Sequence, residues 1–222
     1  MKSTPINYGY NADLLAIIPA DSARVVEIGC SSGILAKMFR QINPGCEYIG
    51  VEVDPEYARI SREWCSKVLV GNVERMEEDV FGTLFPSDCW VFGDVLEHLY
   101  DPWALLKRIR GRLQKGASIA ACIPNAQHWT VQVQLNLGYF QYQDMGIMDR
   151  THIRWFTKSS IKEMFQSAGY EIVHASSRIA DEPMRAGAMA GIRAFTQALG
   201  GDPDLAENDA TPVQWVVRAV AV

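Results

Sequence analysis

The 222-residue sequence lacks long apolar runs and clusters of positive charge. No stretch approaches the roughly 20 apolar residues that a membrane helix needs, and the opening MKSTPINYGYNADLL contains no apolar signal core. The net charge is −5, whereas a protein that holds a nucleic-acid backbone normally presents a basic face. These absences argue against a membrane or a nucleic-acid partner and predict a cytoplasmic protein.

The sequence also lacks paired cysteines and a recognisable metal motif. Its five cysteines are odd in number, widely spaced and without a C-x-x-C pair, which predicts reduced, mostly buried thiols. The four histidines are scattered, and the pair Glu97-His98 lacks the H-E-x-x-H arrangement of zinc enzymes. The sequence pattern therefore predicts no metal site.

Strand-like and helical patterns alternate along the chain. Strands are predicted at 23–29, 46–53, 67–71, 88–94 and 117–124, with helices at 32–42, 55–65 and 102–114 between them. A helix, a strand, a helix at 183–199 and a final strand at 213–222 follow residue 157, and 200–212 is predicted to be a surface loop. Short strands alternating with amphipathic helices predict an α/β protein whose mostly parallel sheet is covered by helices on both faces.

The stretch RVVEIGCSSGILAKMF, residues 24–39, is predicted to be a buried strand, a glycine turn and a helix. A dinucleotide-binding G-x-G-x-x-G counted from Gly29 would need glycine at Ser31 and Ile34. The Gly-Lys-Ser/Thr that ends a phosphate-binding loop is also absent. The remaining pattern is E-x-G-x-S-x-G, from Glu27 to Gly33.

This pattern suits a nucleoside ligand without phosphates. Gly29 and Gly33 allow the backbone to approach a ligand closely, and Glu27 can bind loop N–H groups or an ammonium group. Glu52 ends the second predicted strand, where its carboxylate can accept hydrogen bonds from two ribose hydroxyls. A phosphate at the same place would be repelled.

Four sequence strings, spread between about residues 14 and 173, resemble the class I S-adenosylmethionine-dependent methyltransferases. They are VVEIGCSSG, IGVEVDP, VGNVE and VFGDVLEHLYDPWALLKRIRGRLQKGASIAACIPN. Two positions depart from the family pattern: Ser31 replaces a glycine and Asn72 replaces the more frequent aspartate. The resemblance implies a Rossmann-like, doubly wound, seven-stranded sheet, with S-adenosylmethionine as cofactor and S-adenosylhomocysteine as product.

The resemblance also assigns cofactor contacts, residue by residue. The methionine part is assigned to Glu27, Gly29, Cys30 (mainly through its backbone), Ser31 and Gly33, and its amino group to Asp94. The ribose is assigned to Glu52, and the adenine to Val53, Asn72 and Val73. Val95 or Leu96 is assigned to the space beneath the sulfonium. The alternative for Asp94 is a helix cap behind a strand.

Residues 125–157 form a connection far longer than the usual loop between a strand and a helix, and we predict a substrate cap within a single domain spanning 1–222. Its aromatic residues alternate with polar ones, as in a small-molecule pocket, although some must attach the cap to the sheet. Its string GIMDRTHIRWFT resembles methyltransferases that act on glycans and secondary metabolites.

The leading hypothesis is methylation of a hydroxyl group on a small-molecule acceptor, such as a sugar or secondary metabolite. A hydroxyl acceptor needs a base, and His152 is the first candidate, with Asp149 to orient it or to bind the substrate. His128 is the second candidate, and His98 is a weaker one. An N-methyltransferase, a non-catalytic cofactor-binding partner or regulator, and a dinucleotide oxidoreductase are the alternatives. A homodimer is compatible with the sequence.

Overall fold

The computed structural model describes residues 9–180 and 183–222. Its sheet consists of β1 (Arg24–Ile28), β2 (Glu47–Glu52), β3 (Lys67–Val70), β4 (Cys89–Gly93), β5 (Ser118–Pro124), β6 (Tyr170–Arg178) and β7 (Gln214–Ala221). The strand order is β3-β2-β1-β4-β5-β7-β6, in which β1 to β5 pair in parallel and β7 is antiparallel to both of its neighbours. The predicted seven-stranded, mostly parallel Rossmann-like sheet is confirmed.

Helices cover the sheet. They are α1 (Ala12–Ile17), α2 (Ile34–Ile42), α3 (Pro55–Ser61), α4 (Glu78–Gly82), α5 (Pro102–Arg110), α6 (Trp129–Asn136), α7 (Lys158–Ser167), α8 (Arg185–Ala198) and α9 (Pro203–Ala210). None of those in the described ranges is long and apolar enough to cross a membrane. The predicted surface loop at 200–212 is wrong, since Asp202 caps α9 and Pro203 fits its first turn.

Apolar side chains cover both faces of the sheet. Along β4, Trp90 and Phe92 belong to the core on one face, whereas Cys89 and Val91 belong to the core on the other. All five cysteines are buried and free, as predicted. Because β1 lies between β2 and β4, the chain connections leave it in opposite directions, and such a switch point opens a crevice at the carboxyl ends of the strands.

Candidate active site

The loop of residues 29–33 lies at this switch point and carries three left-handed backbone conformations. The φ angles of Gly29, Ser31 and Gly33 are 68°, 47° and 77°. The Gly29 N–H donates to the Val51 carbonyl at 2.8 Å. A Cβ on Gly29 would lie 2.8 Å from Cγ2 of Val95, which follows β4, so glycine is required where the β1 and β4 loops meet.

Glu52 fastens the 29–33 loop to the end of β2. Its side chain is almost fully buried. Oε2 accepts a hydrogen bond from the Ser31 N–H at 2.8 Å, and Oε1 accepts one from the Asp54 N–H at 3.0 Å. A carboxylate has about four acceptor positions, so Glu52 can hold the loop and still accept from two ribose hydroxyls. The apolar side chain of Val53 is 64% exposed beside it, where an adenine ring could pack.

Ser31 is strained, because an L-residue in the left-handed region costs about 1–2 kcal/mol relative to a right-handed conformation. The substitution Ser31→Gly relieves this strain, partly offset by the greater backbone entropy of glycine in the unfolded chain. We expect the free energy of unfolding to rise by up to about 1 kcal/mol, measured by urea denaturation. Ser31→Ala keeps the strain and is expected to show no such gain; equal stability of the two variants would contradict the argument.

The two residues predicted at the adenine edge occupy different environments. Asn72 is exposed, and its Oδ1 caps a short 3₁₀ turn by accepting the Glu74 N–H at 2.8 Å. The side chain of Val73 is buried in the core, so a contact with adenine would have to come from its backbone. Cys30 is likewise buried, with Sγ 3.6 Å from Oγ of Ser61, which agrees with a backbone role.

A carboxylate lies at the carboxyl end of each of three neighbouring strands. Glu27 is near the end of β1, Glu52 is the last residue of β2, and Asp94 directly follows β4. Burial raises the pKa of Glu27 well above its ordinary value, and an interaction with the Tyr48 hydroxyl acts in the opposite direction. Oε2 of Glu27 and the Tyr48 hydroxyl are both buried without a hydrogen bond of normal geometry within 9–180 and 183–222, so Glu27 can still accept from a ligand that brings an ammonium group. These three carboxylates therefore fit S-adenosylmethionine, which is cationic at the amino group and the sulfur and carries no phosphate.

Asp94 also has left-handed geometry, with φ 55°. Its Oδ1 accepts a hydrogen bond from Nε2 of Gln214, and Arg178 donates to Oε1 of Gln214. Loss of hydration raises the pKa of Asp94 to about 6, although Arg178 and Gln214 act in the opposite direction. The sequence analysis missed Gln214 and Arg178, because they lie on the last two strands, 120 and 84 positions away in the chain.

The predicted cap, 125–157, divides into attached and exposed aromatic residues. Trp129 on α6 packs with Met189 and Ala210 of α8 and α9, and Phe156 belongs to the main core. The exposed aromatic residues are Tyr139, Phe140 and Tyr142. His128, the second candidate base, is buried at 1% exposure beside Trp129, and its Nδ1 lies 2.8 Å from Oγ1 of Thr130.

His152, the first candidate base, lies at the wall of an open cleft. The cleft has a volume of about 600 Å³ and is lined by Tyr142, Arg150, His152, Ile153 and Trp155. Nδ1 of His152 lies 2.9 Å from the Ile147 carbonyl, so this nitrogen is the donor and Nε2 carries the lone pair. Arg150 forms an ion pair with Asp144 at 2.7 Å.

Asp149 does not hold the His152 ring. Its Oδ1 accepts hydrogen bonds from the backbone N–H and the hydroxyl of Thr151, at 2.7 and 2.6 Å. Partial burial favours a higher pKa for Asp149, but the two hydrogen bonds from Thr151 and the other contributions together have the larger effect. The pKa of Asp149 is therefore below its ordinary value. The geometry gives Asp149 the role of shaping the turn that carries His152.

The residue facing Nε2 of His152 is Glu97, which the sequence analysis did not assign. Its Oε1 lies 3.9 Å from that nitrogen. The backbone carbonyl of Glu97 accepts the N–H groups of Ile153 and Arg154 at 2.9 and 3.0 Å, which docks this part of the cap onto the loop after β4. Burial raises the pKa of the Glu97 carboxyl well above its ordinary value, and the charge of Asp94 adds to this.

Comparisons with known proteins identify the family of the chain. A family model described as a methyltransferase domain matches residues 8–175. Among curated proteins, no sequence matches the chain.

Solved structures share the fold. An S-adenosylmethionine-dependent methyltransferase from Mesorhizobium loti is 14% identical, with 93% of this chain and 95% of that chain covered and a TM-score of 0.58. A possible histamine N-methyltransferase from Thermotoga maritima is 17% identical, with coverages of 95% and 88% and a TM-score of 0.59. The mitomycin 7-O-methyltransferase MmcR is 14% identical, with 95% of this chain but 52% of that longer chain covered and a TM-score of 0.57.

Proposed function

The chain belongs to the methyltransferase-domain family and is a class I S-adenosylmethionine-dependent methyltransferase, and we propose that it methylates a hydroxyl group of a small molecule. The cofactor contacts are proposed to be those of the strand ends: Glu27 and Asp94 at the methionine amino group, Glu52 at the ribose and Val53 at the adenine. The acceptor is proposed to bind in the cleft at His152, beneath the aromatic residues of the cap.

The cleft carries the proposal for the acceptor. It combines aromatic walls, from Tyr142 and Trp155, with the polar groups of Arg150 and His152, which is the usual composition of a small-molecule site. His152 directly precedes Ile153 and Arg154, whose N–H groups donate to the carbonyl of Glu97. Glu97 lies three residues after Asp94, so the cleft adjoins the loop proposed to hold the methionine part.

The reaction needs alignment and removal of one proton. S-adenosylmethionine supplies an electrophilic methyl group, which bonds to the acceptor oxygen as its bond to sulfur breaks and the electron pair stays on sulfur. The cap residues align the acceptor with this methyl group. The hydroxyl proton leaves toward the His152 side of the cleft, where Nε2 presents a lone pair.

The experiment is a methyl-transfer assay with methyl-labelled S-adenosylmethionine on matched acceptor pairs, such as a phenol and the corresponding aniline, or a sugar and its amino sugar. We expect label in the hydroxyl members of the pairs. Label confined to the amines would contradict O-methylation while leaving the cofactor assignment intact.

Trp155 tests the location of the acceptor. With a hydroxylated acceptor from that assay, Trp155→Ala removes an aromatic wall of the cleft and should raise the acceptor KM about tenfold, the equivalent of 1.4 kcal/mol. The dissociation constant of S-adenosylmethionine should stay within a factor of two. Trp64→Ala is the control, because this half-buried tryptophan follows α3, packs against Lys37 of α2 and does not line the cleft. An unchanged acceptor KM in Trp155→Ala would show that the acceptor does not bind against Trp155.

A further inference from the structure

Three side chains that commonly ligate metals meet where His152 lines the cleft: Glu97, His98 and His152. One potential ligand atom from each lies within 4.8 Å of the others. Nε2 of His152 is 3.9 Å from Oε1 of Glu97, and the two imidazole rings lie edge to face with their centroids 4.7 Å apart. The sequence pattern gives no metal motif because His152 is separated from His98 by more than 50 positions.

Backbone carbonyls set the tautomers of both histidines. Nδ1 of His152 lies 2.9 Å from the Ile147 carbonyl, and Nδ1 of His98 lies 3.2 Å from the Thr151 carbonyl. A carbonyl only accepts. The Thr151 hydroxyl also lies 3.2 Å from Nδ1 of His98, but it donates its proton to Oδ1 of Asp149 at 2.6 Å and so acts as a second acceptor. Each Nδ1 therefore carries the proton and each Nε2 keeps a lone pair. Metal-ligating histidines are oriented in this way, with the second nitrogen donating to a carbonyl or carboxylate.

Glu97 adds an acceptor that the protein leaves unsatisfied. The residue is 1% exposed, and both of its carboxylate oxygens are buried with no hydrogen-bond partner in the described part of the chain. A buried carboxylate without a hydrogen bond or a counter-charge is costly. The carboxylate of Glu97 and one ring nitrogen each of His98 and His152 lie within 4.8 Å of one another, and a cation bound between them would satisfy the carboxylate.

We propose that Glu97, His98 and His152 bind a divalent transition-metal cation at the edge of the cleft. Two imidazoles and one carboxylate suit Zn²⁺ or a neighbouring first-row cation better than Mg²⁺ or Ca²⁺, which prefer oxygen ligands. Ligand bonds of about 2.0–2.2 Å require donor atoms roughly 3.0–3.4 Å apart. The present spacing reaches this with side-chain shifts of about 1 Å. Three protein ligands leave a coordination position open, as in catalytic sites.

The open position gives the site a role that rests on the proposed function. An acceptor hydroxyl bound there would lose its proton more readily, because a bound cation lowers the pKa of a ligated oxygen. The proton passes to solvent, the oxygen then takes the methyl group, and the C–S electron pair stays on sulfur. His152 would then act as a ligand, and its removal would abolish transfer through the cation.

The test measures metal binding on the whole protein, without cofactor or acceptor. Chelator-treated protein is titrated with Zn²⁺ by calorimetry and with Co²⁺ by absorption spectroscopy. We expect one cation per chain, and at least 100-fold weaker binding in Glu97→Gln and in His98→Ala. His174→Ala is the control, since His174 is an exposed histidine on β6 outside the cluster. Thermal melts establish that the variants are folded.

The outcomes separate the proposal from its rivals. Unweakened binding in folded Glu97→Gln and His98→Ala, a thiolate charge-transfer band in the Co²⁺ spectrum, or no binding to the wild type would each overturn the site. The methyl-transfer assay tests the proposed function independently of metal binding. If metal binds but no hydroxyl is methylated, the O-methylation proposal fails and the metal site stands. If hydroxyls are methylated equally before and after removal of the metal, the cation's role in transfer is refuted.

Discussion

Glu52→Gln is expected to weaken S-adenosylmethionine binding by at least about 100-fold, or roughly 2.7 kcal/mol. The carboxylate accepts hydrogen bonds from the backbone N–H groups of Ser31 and Asp54 while offering further acceptor positions for the ribose. Glutamine has one acceptor oxygen, so its NH₂ group would face a backbone N–H or a ribose hydroxyl. Hydrogen bonds to charged groups contribute about 1.5–3 kcal/mol each, and this substitution perturbs several.

Calorimetric titration of the two proteins with S-adenosylmethionine and S-adenosylhomocysteine measures the effect. Glu56→Gln is the matched control, because Glu56 lies four residues further on, is exposed and belongs to the first turn of α3. The control should bind like the wild type. Binding by Glu52→Gln within threefold of the wild type would show that the ribose does not depend on this carboxylate.

Asp94→Asn is expected to change stability and cofactor binding in opposite directions. Asparagine tolerates the left-handed conformation, and its Oδ1 can still accept from Gln214. Loss of hydration raises the pKa of the Asp94 carboxyl to about 6 in the fold, so the charged form costs the free protein stability near neutral pH. The substitution should raise the free energy of unfolding by about 1–3 kcal/mol at pH 7.5. Binding of S-adenosylmethionine should fall about 10–100-fold if Asp94 pairs with its amino group.

The sign of the pH dependence follows from the raised pKa. Between the ordinary pKa of an aspartate, near 4, and about 6, the folded chain holds the Asp94 proton more tightly than the unfolded chain. The contribution of Asp94 to stability is therefore greatest below this range and is lost as the pH rises through about 6. Urea denaturation at pH 5 and pH 7.5 should show a larger gain for Asp94→Asn at pH 7.5. An equal gain at both pH values would argue against the raised pKa.

The sequence pattern locates the proposed cofactor-binding residues better than the proposed acceptor-binding residues. The loop of 29–33, Glu52 and Asp94 are each defined by a strand that ends at the same edge of one sheet, and strand ends can be located from short apolar runs and glycines. The left-handed conformation of Ser31 follows from its position in that loop, although its hydrogen bond to Glu52 depends on the packing of two strands.

The proposed acceptor site depends on contacts between segments that are distant in the sequence. In the sequence Glu97 lies between the predicted strand at 88–94 and the predicted helix at 102–114, without an assigned role. Backbone hydrogen bonds from Ile153 and Arg154 to its carbonyl bring it to His152. The sequence predicts two candidate bases in the cap, His128 just past the fifth strand and His152 in the string DRTHIR. The structure buries His128 against Trp129 and places His152 at the cleft. Helix α9 was missed because its acidic, glycine-flanked sequence has little apolar periodicity.

A crystal structure with S-adenosylhomocysteine bound tests the central claim most directly, because that claim is about where the cofactor lies relative to the cleft. The account predicts the ribose hydroxyls on Glu52, the amino group between Glu27 and Asp94, and the sulfur facing the cleft at His152. A ligand bound away from the ends of β1, β2 and β4, or with its sulfur turned away from His152, would contradict it.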